Sequence, residues 1–142
     1  MSWRELWRTI IKIFSTSLTV KMPEAILDSD DLLRRIIFAD PNYIRPDFTV
    51  TSLAFKPRRI DGAQERGLSV DILRLTTYKK SIVDRFKYRL YSVKASYARQ
   101  IGLECEHNPI DGNEAHALIT GEFKNSIAKK LSQGAVRVPY PD

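Results

Sequence analysis

The chain of 142 residues has few cysteines and no clustered glycines, the features on which many small secreted or cofactor-binding proteins depend. It has a single cysteine, Cys105, so no intramolecular disulfide can form and nothing indicates an oxidising compartment. Its six glycines all stand alone in the sequence. This spacing excludes the glycine-rich loops with which P-loop enzymes and dinucleotide-binding proteins hold phosphates.

Long hydrophobic runs are also missing. The most apolar stretch near the N-terminus, residues 10–20, is interrupted by Lys12 and by four hydroxyl side chains. A membrane-spanning helix needs about 20 predominantly apolar residues, and a secretory signal needs a continuous apolar centre. We therefore expect a cytoplasmic protein that does not bind membranes.

What the chain does have is the composition of a soluble globular domain, with 43% hydrophobic and 28% charged residues. Helical and alternating periodicities are mixed along it without a strict βαβ order. We predict an α+β fold: a single compact domain over residues 22–142, with a mainly antiparallel sheet of about five strands and flanking helices. An amphipathic helix over residues 1–21 precedes it.

Local patterns set the predicted elements and core. Helices are predicted over residues 28–37, 77–90, 96–102 and 125–133, and strands over 48–55, 68–75, 91–95, 103–107 and 115–120. The strands 48–55 and 68–75 are predicted to pair as a hairpin. The predicted core consists of Leu53, Phe55, Val70, Ile72, Val83, Phe86, Val93, Leu103, Leu118 and Ile119.

Charge is distributed unevenly. Residues 56–100 contain 12 basic and four acidic side chains, whereas residues 101–116 contain Glu104, Glu106, Asp111 and Glu114 and no Lys or Arg. Aromatic residues lie among the basic ones, a composition that suits phosphates and unpaired bases. The nucleic-acid or anion-binding candidates are Arg58, Arg59, Lys79, Lys80 and Lys87. The alternative is that this basic face pairs with the acidic stretch or stays in solvent.

The N-terminal helix carries an apolar stripe at helical spacing, formed by Trp3, Trp7, Ile11 and Phe14. An apolar face of this size is seldom left in water, so we predict that it docks on a protein partner or on a second copy of the chain. Packing on its own domain is one alternative. A helix lying on a membrane surface is another, less favoured because only three basic residues, Arg4, Arg8 and Lys12, would attract anionic lipid.

Cys105 and His107 share a strand face, and His116 follows on the next strand. Across a hairpin these three could bind zinc with Asp111 or Glu114, but the spacing is not a standard zinc pattern. The interpretation we favour is a buried thiol and structural imidazoles. We expect no metal and no cofactor.

Between Leu33 and Gly121 several short segments resemble those of small, largely uncharacterised bacterial proteins. They are Arg34-Arg35 with Asp40-Pro41, Thr51 to Phe55, Leu68 to Asp71, His107 to Pro109, and Asn113 to Ala117. The resemblance implies a bacterial accessory protein from a mobile-element or defence-type operon, and it implies no assigned activity.

Polar residues near the predicted strand ends suggest a pocket. Its candidate members are Arg35, Ser52, Ser69, Asp71, His107 and His116. Such a pocket could bind a nucleotide, as in ADP-ribosyl-transferring folds. The function we expect is nevertheless a non-enzymatic accessory protein acting through protein contacts. Nucleic-acid binding by residues 56–100 and a nucleotide-dependent enzyme are the two alternatives.

Overall fold

The computed structural model describes residues 22–141, and it confirms the α+β class. Its centre is a six-stranded antiparallel sheet. The strands of this sheet are β1 Asp31–Ile37, β4 Leu68–Ile72, β5 Tyr88–Lys94, β6 Glu104–His107, β7 His116–Thr120 and β8 Val136–Val138. Their order across the sheet is β6-β7-β4-β1-β5-β8. A separate small hairpin consists of β2 Arg59–Ile60 and β3 Ala63–Gln64. The α-helices are α1 Tyr78–Ile82, α2 Ala95–Gln100 and α3 Asn125–Gly134, and short 3-10 turns span Ser52–Phe55 and Leu73–Leu75.

The first face of the sheet, which carries Leu68, Val70 and Ile72, holds the large core. The alternation predicted for this strand is therefore confirmed. Helix α3 and the 3-10 turn Ser52–Phe55 pack against each other over this face. Their buried contributions are Ala54, Phe55, Ala128 and Leu131.

The second face carries Ser69 and Asp71, and within residues 22–141 its apolar cluster is small. Leu33 of β1, Leu90 of β5 and Ile82 of α1 form it, with Tyr78 and Tyr88 at its margin. Helix α1 therefore covers one part of this face, and over β4 and β7 polar side chains lie beside the buried Leu118.

Residues 31–37 form strand β1, so the helix predicted over 28–37 is wrong. Leu32 and Leu33 are both buried although they point to opposite faces, because β1 lies between β4 and β5. A central strand with two buried faces contains adjacent apolar pairs, and such pairs also fit one side of a helix. Periodicity alone therefore could not distinguish a strand from a helix over these residues.

The strand predicted over residues 48–55 is also wrong. Val50 forms an isolated bridge with Ile44, and the chain then turns into the 3-10 segment Ser52–Phe55. The carbonyl of Ala54 accepts a 3.0 Å hydrogen bond from Nε of Arg34. Strand β4 pairs with β1 and β7, so the predicted hairpin does not form.

Helix α1 begins at the predicted cap, since the Thr77 hydroxyl accepts a hydrogen bond from the Lys80 amide. The helix predicted over 77–90 is nevertheless too long, because α1 ends at Ile82 and residues 88–90 belong to β5. Val83 adopts φ 64° and ψ −57°, and the Asp84 amide donates to the Ile82 carbonyl. This tight turn leaves Val83 70% and Phe86 80% exposed. Leu53, in the 3-10 turn, is also exposed. Three predicted core residues are therefore not buried, namely Leu53, Val83 and Phe86.

Ion pairs hold residues 24–30, the segment before β1, against the first face. Ile26 enters the large core, while Arg74 pairs with Glu24 at 2.6 Å and with Asp30 at 3.0 Å. Arg99 pairs with Asp28 at 2.6 Å. The chain before β1 is therefore held by one apolar anchor and several ion pairs.

Candidate functional site

Four of the six predicted pocket residues lie together on the second face of the sheet. Asp71 pairs in register with His116 on β7 and with Leu33 on β1. Ser69 and Arg35 each lie two residues along their strands from this row, and so on the same face. The topology thus brings Arg35, Ser69, Asp71 and His116 onto three adjacent strands.

His116 is oriented by contacts to both of its ring nitrogens. Nδ1 lies 2.8 Å from the carbonyl oxygen of Asn108, and Nε2 lies 3.3 Å from Oγ of Ser69. The side-chain amide of Asn108 lies farther from Nδ1, at 3.4 Å. Because the nearer carbonyl only accepts, we assign the proton to Nδ1, which donates it to the Asn108 carbonyl. In the neutral ring Nε2 is then an acceptor, and the Ser69 hydroxyl donates to it.

Asp71 is 7% exposed, and its carboxylate binds two segments that lie beside the Ser69 and His116 pair. One carboxylate oxygen accepts a 2.7 Å hydrogen bond from the hydroxyl of Ser81, and the other accepts a 2.8 Å bond from the side-chain amide of Asn113. Arg35 is exposed, donates to the Ser81 carbonyl at 2.8 Å and stacks over the Tyr88 ring. Asp71 therefore ties α1 and the loop before β7 to the sheet.

The structure does not bring His107 and Ser52 to this cluster. His107 is 4% exposed on the first face, where Nδ1 accepts from the Glu24 amide at 2.9 Å and Nε2 donates to the Glu114 carbonyl at 2.6 Å. Ser52 begins the 3-10 turn that packs on α3. The predicted alternation of the strand that carries His107 is correct. The sequence did not indicate which residues His107 contacts in the folded chain.

The zinc arrangement weighed for Cys105, His107 and His116 does not form. Strand register puts His107 opposite Ala117, so Cys105 and His107 lie on the first face and His116 on the second. Burial raises the pKa of the Cys105 thiol, which keeps it protonated. Within residues 22–141 no group of three His, Cys, Asp or Glu side chains is placed to hold a metal ion.

The predicted anion-binding residues do not form one surface. Arg58 pairs with Glu65 at 3.2 Å beside the small hairpin, and Arg59 is exposed on that hairpin. Lys79 and Lys80 lie on α1 over the second face, and Lys87 stacks on Tyr88. The predicted pairing with the acidic stretch occurs once among the described ion pairs, between Arg66 and Glu106 at 2.7 Å.

A cavity of about 490 Å³ lies on the first face beside β5 and β8, and we call it the cationic cavity. Arg45, Lys129 and Arg137 line it, together with Phe48 and Tyr91. Among residues 22–141 no Asp or Glu lines it, and none of its three basic residues belongs to a described ion pair. The described lining therefore presents positive charge to a bound molecule.

Phe48 stands at the edge of this cavity in an uncommon backbone conformation. Its φ is 69°, in the left-handed region that favours Gly and Asn, and its side chain is 43% exposed. The Phe48 carbonyl accepts from the Tyr91 hydroxyl at 2.6 Å, and its amide donates to the Arg45 carbonyl at 2.9 Å. The surrounding chain thus holds an aromatic ring in place at a cost in backbone energy.

The ring of Phe48 belongs to a row of stacked groups. It lies 6.1 Å from the ring of Phe38 at an angle of 12°, and the guanidinium of Arg137 lies 4.4 Å from its centre. Arg89 lies 4.0 Å from the centre of the Phe38 ring. A second, smaller hollow of about 160 Å³ shares Arg45 and Phe48 with the cationic cavity.

Sequence reasoning missed the cationic cavity because its basic residues are far apart in the chain. Arg45 precedes β2, Lys129 lies on α3, and Arg137 lies on β8, a strand that no pattern predicted. The one local signal was Pro46-Asp47, a turn pair just before the aromatic residue. Comparison with protein-family models, with curated proteins and with solved structures finds no match for the chain.

The predicted docking stripe of Trp3, Trp7, Ile11 and Phe14 lies outside the described residues. No helix in residues 22–141 is long and apolar enough to cross a membrane.

Proposed function

We propose that the protein binds single-stranded nucleic acid at the cationic cavity. The observation that carries this proposal is the combination of three basic side chains, Arg45, Lys129 and Arg137, with the half-exposed ring of Phe48. Basic side chains attract phosphates, and aromatic and guanidinium planes stack on unpaired bases.

The shape of the site favours a single strand over a duplex. The cavity volume of about 490 Å³ falls in the range of small-molecule sites, which suits one nucleotide unit inserted into it. In a duplex the bases are paired and stacked inside the helix, so they cannot reach Phe48 while the phosphates contact Lys129.

The backbone of Phe48 supports the same proposal. A left-handed conformation at an aromatic residue costs free energy that a Gly or Asn would largely avoid, and such strain gathers at functional sites. Phe38 and Arg137 both contact the ring, which supports a role in binding for this aromatic and cationic group.

This proposal places nucleic acid on a different surface from the one expected from residues 56–100. Of that segment, only Arg89 and Tyr91 belong to the stacked row and the cavity. The function expected first, a small bacterial accessory protein that docks on a protein partner through Trp3 and Trp7, stays a prediction.

A direct test measures the binding of a fluorescein-labelled 12-nucleotide oligothymidylate by fluorescence anisotropy. Arg137→Ala removes one cavity charge, and Arg59→Ala removes one charge, also exposed, on the small hairpin. We expect Arg137→Ala to weaken binding about tenfold and to lower the slope of log affinity against log salt by about 0.7, with Arg59→Ala near wild type. Absent binding, or equal losses in both variants, would contradict the cavity as the site.

A second variant separates binding from folding. Phe48→Asn suits the left-handed backbone but removes the ring, so its free energy of unfolding should stay within about 1 kcal/mol of wild type. Oligothymidylate binding should fall by about tenfold, since stacking on one aromatic residue contributes about 1–3 kcal/mol per base. Unchanged affinity in this folded variant would remove Phe48 from the site.

A further inference from the structure

We infer that Ser69 is a nucleophile and His116 its general base, forming a site on the second face that cleaves carboxylic esters. Nothing in this inference depends on nucleic-acid binding, because the cationic cavity lies on the opposite face of the sheet. It rests on the geometry of the two side chains and of the groups that hold them.

The proton positions are those that serine activation needs. Because Nδ1 of His116 donates to the Asn108 carbonyl at 2.8 Å, the lone pair of Nε2 faces Oγ of Ser69 at 3.3 Å. A nucleophile beside a base that a third group orients is the recurring arrangement of serine hydrolysis. Here a main-chain carbonyl is the orienting group.

Hydrogen bonds hold the backbone on which both partners stand. The Ser69 carbonyl accepts a 2.8 Å hydrogen bond from Nη1 of Arg34, which holds the backbone of the nucleophile. The loop that contains Asn108 is tied to the sheet by Asn113, whose amide donates to the buried Asp71 carboxylate at 2.8 Å. Asp71 is thus a positioning residue that acts through the loop.

Both residues of the pair keep some accessible surface. Ser69 and His116 are each half-buried, and Arg35, on the same face of β1, is exposed. The proposed reaction requires a small ester to reach Oγ of Ser69 from this face.

In the proposed reaction Oγ of Ser69 attacks the carbonyl carbon of the ester while its proton moves to Nε2 of His116. The bond between that carbon and the alcohol oxygen breaks, and the leaving alkoxide takes the proton from Nε2. Water then attacks the acyl-serine and gives its proton to Nε2, which returns it to Ser69 as the carboxylic acid leaves. Ester and water are consumed, and alcohol and acid are formed.

The first experiment treats the protein with a fluorophosphonate probe, which forms a phosphorus–oxygen bond to an activated serine as fluoride leaves. Peptide mapping by mass spectrometry locates the modified residue. Ser92 is the matched control, because it is also a half-buried serine on the second face and has no histidine contact. We expect labelling at Ser69 and its loss in Ser69→Ala, whereas labelling at neither serine, or equally at both, would overturn the proposal.

The second experiment uses His116→Gln, which keeps a polar side chain but cannot take up the proton. Thermal unfolding establishes that the variant is folded, with Ser92→Ala as the control for labelling. The labelling rate and the hydrolysis of p-nitrophenyl acetate should fall about 100-fold in His116→Gln, because general base catalysis contributes 10²–10⁴-fold. A folded His116→Gln protein with wild-type rates would exclude His116 as the base. Should that variant not fold, loss of labelling in Ser69→Ala remains the deciding result.

Discussion

The two faces of the central sheet differ in what covers them. On the first face, Leu68, Val70 and Ile72 join a core that α3, the 3-10 turn and the segment before β1 complete. On the second face the buried apolar cluster is Leu33, Ile82 and Leu90, and polar groups lie beside it. Burial of apolar area provides most of the stability of a fold, so stability should depend mainly on the first face.

The difference also separates two kinds of candidate site. The cationic cavity lies where the cover of the first face is incomplete, between α3, β8 and the loop of Phe48. The Ser69 and His116 pair lies on the second face, which also carries the small cluster of Leu33, Ile82 and Leu90. The two candidate sites therefore lie on opposite faces of the sheet.

The largest expected effect on stability comes from truncating two neighbouring residues of β1 that point to opposite faces. Leu32 is 0% exposed and Leu33 is 2% exposed, but Leu32 belongs to the larger core. Chemical denaturation should show a loss of about 4 kcal/mol for Leu32→Ala and about 2 kcal/mol for Leu33→Ala. A larger loss for Leu33→Ala would contradict the dominance of the first face.

The next largest effect on stability is expected from substitution of the two histidines. His107 is buried and satisfies both the Glu24 amide and the Glu114 carbonyl, whereas His116 is half-buried. We expect His107→Ala to lower the free energy of unfolding by about 2 kcal/mol and His116→Ala by less than about 1 kcal/mol. Equal losses would mean that His116 is as structural as His107.

A smaller effect concerns the ion pairs that border the first face. The hydrogen bond from Arg74 lowers the pKa of Asp30 below its ordinary value of 3.8, so this interaction stabilises the fold above that pH and is lost as pH falls through the lowered pKa. At pH 7, Asp30→Asn should cost about 1–2 kcal/mol. The difference from wild type should stay constant from pH 7 to 5 and shrink below about pH 4, and a difference unchanged at pH 2 would contradict this account.

Much of the fold followed from local pattern. The alternation of residues 68–72, the Thr77 cap and the final helix were predicted because each depends on contacts within a few residues. Strand β1 and the 3-10 turn were not, since their conformation depends on neighbours far along the chain. Tertiary contacts overrode the local preference in both.

The candidate sites show the same limit. Ser69, Asp71 and His116 were chosen as polar residues in strand patterns, and strand order then placed them together. His107 came from the same kind of pattern, but residue 24 and the loop carbonyl of Glu114 make it structural. The members of the cationic cavity, such as Arg45 and Arg137, share no local pattern, so only the folded chain identifies them.

The measurement that tests the central claim most directly compares Lys129→Ala with Lys130→Ala. The two residues are consecutive on α3 and both are exposed, yet only Lys129 lines the cationic cavity. Oligothymidylate affinity is measured at several salt concentrations for both variants, which carry the same net charge. We predict that Lys129→Ala lowers the slope of log affinity against log salt by about 0.7 while Lys130→Ala leaves it near the wild-type value. Equal slopes in the two variants would contradict nucleic-acid binding at the cavity.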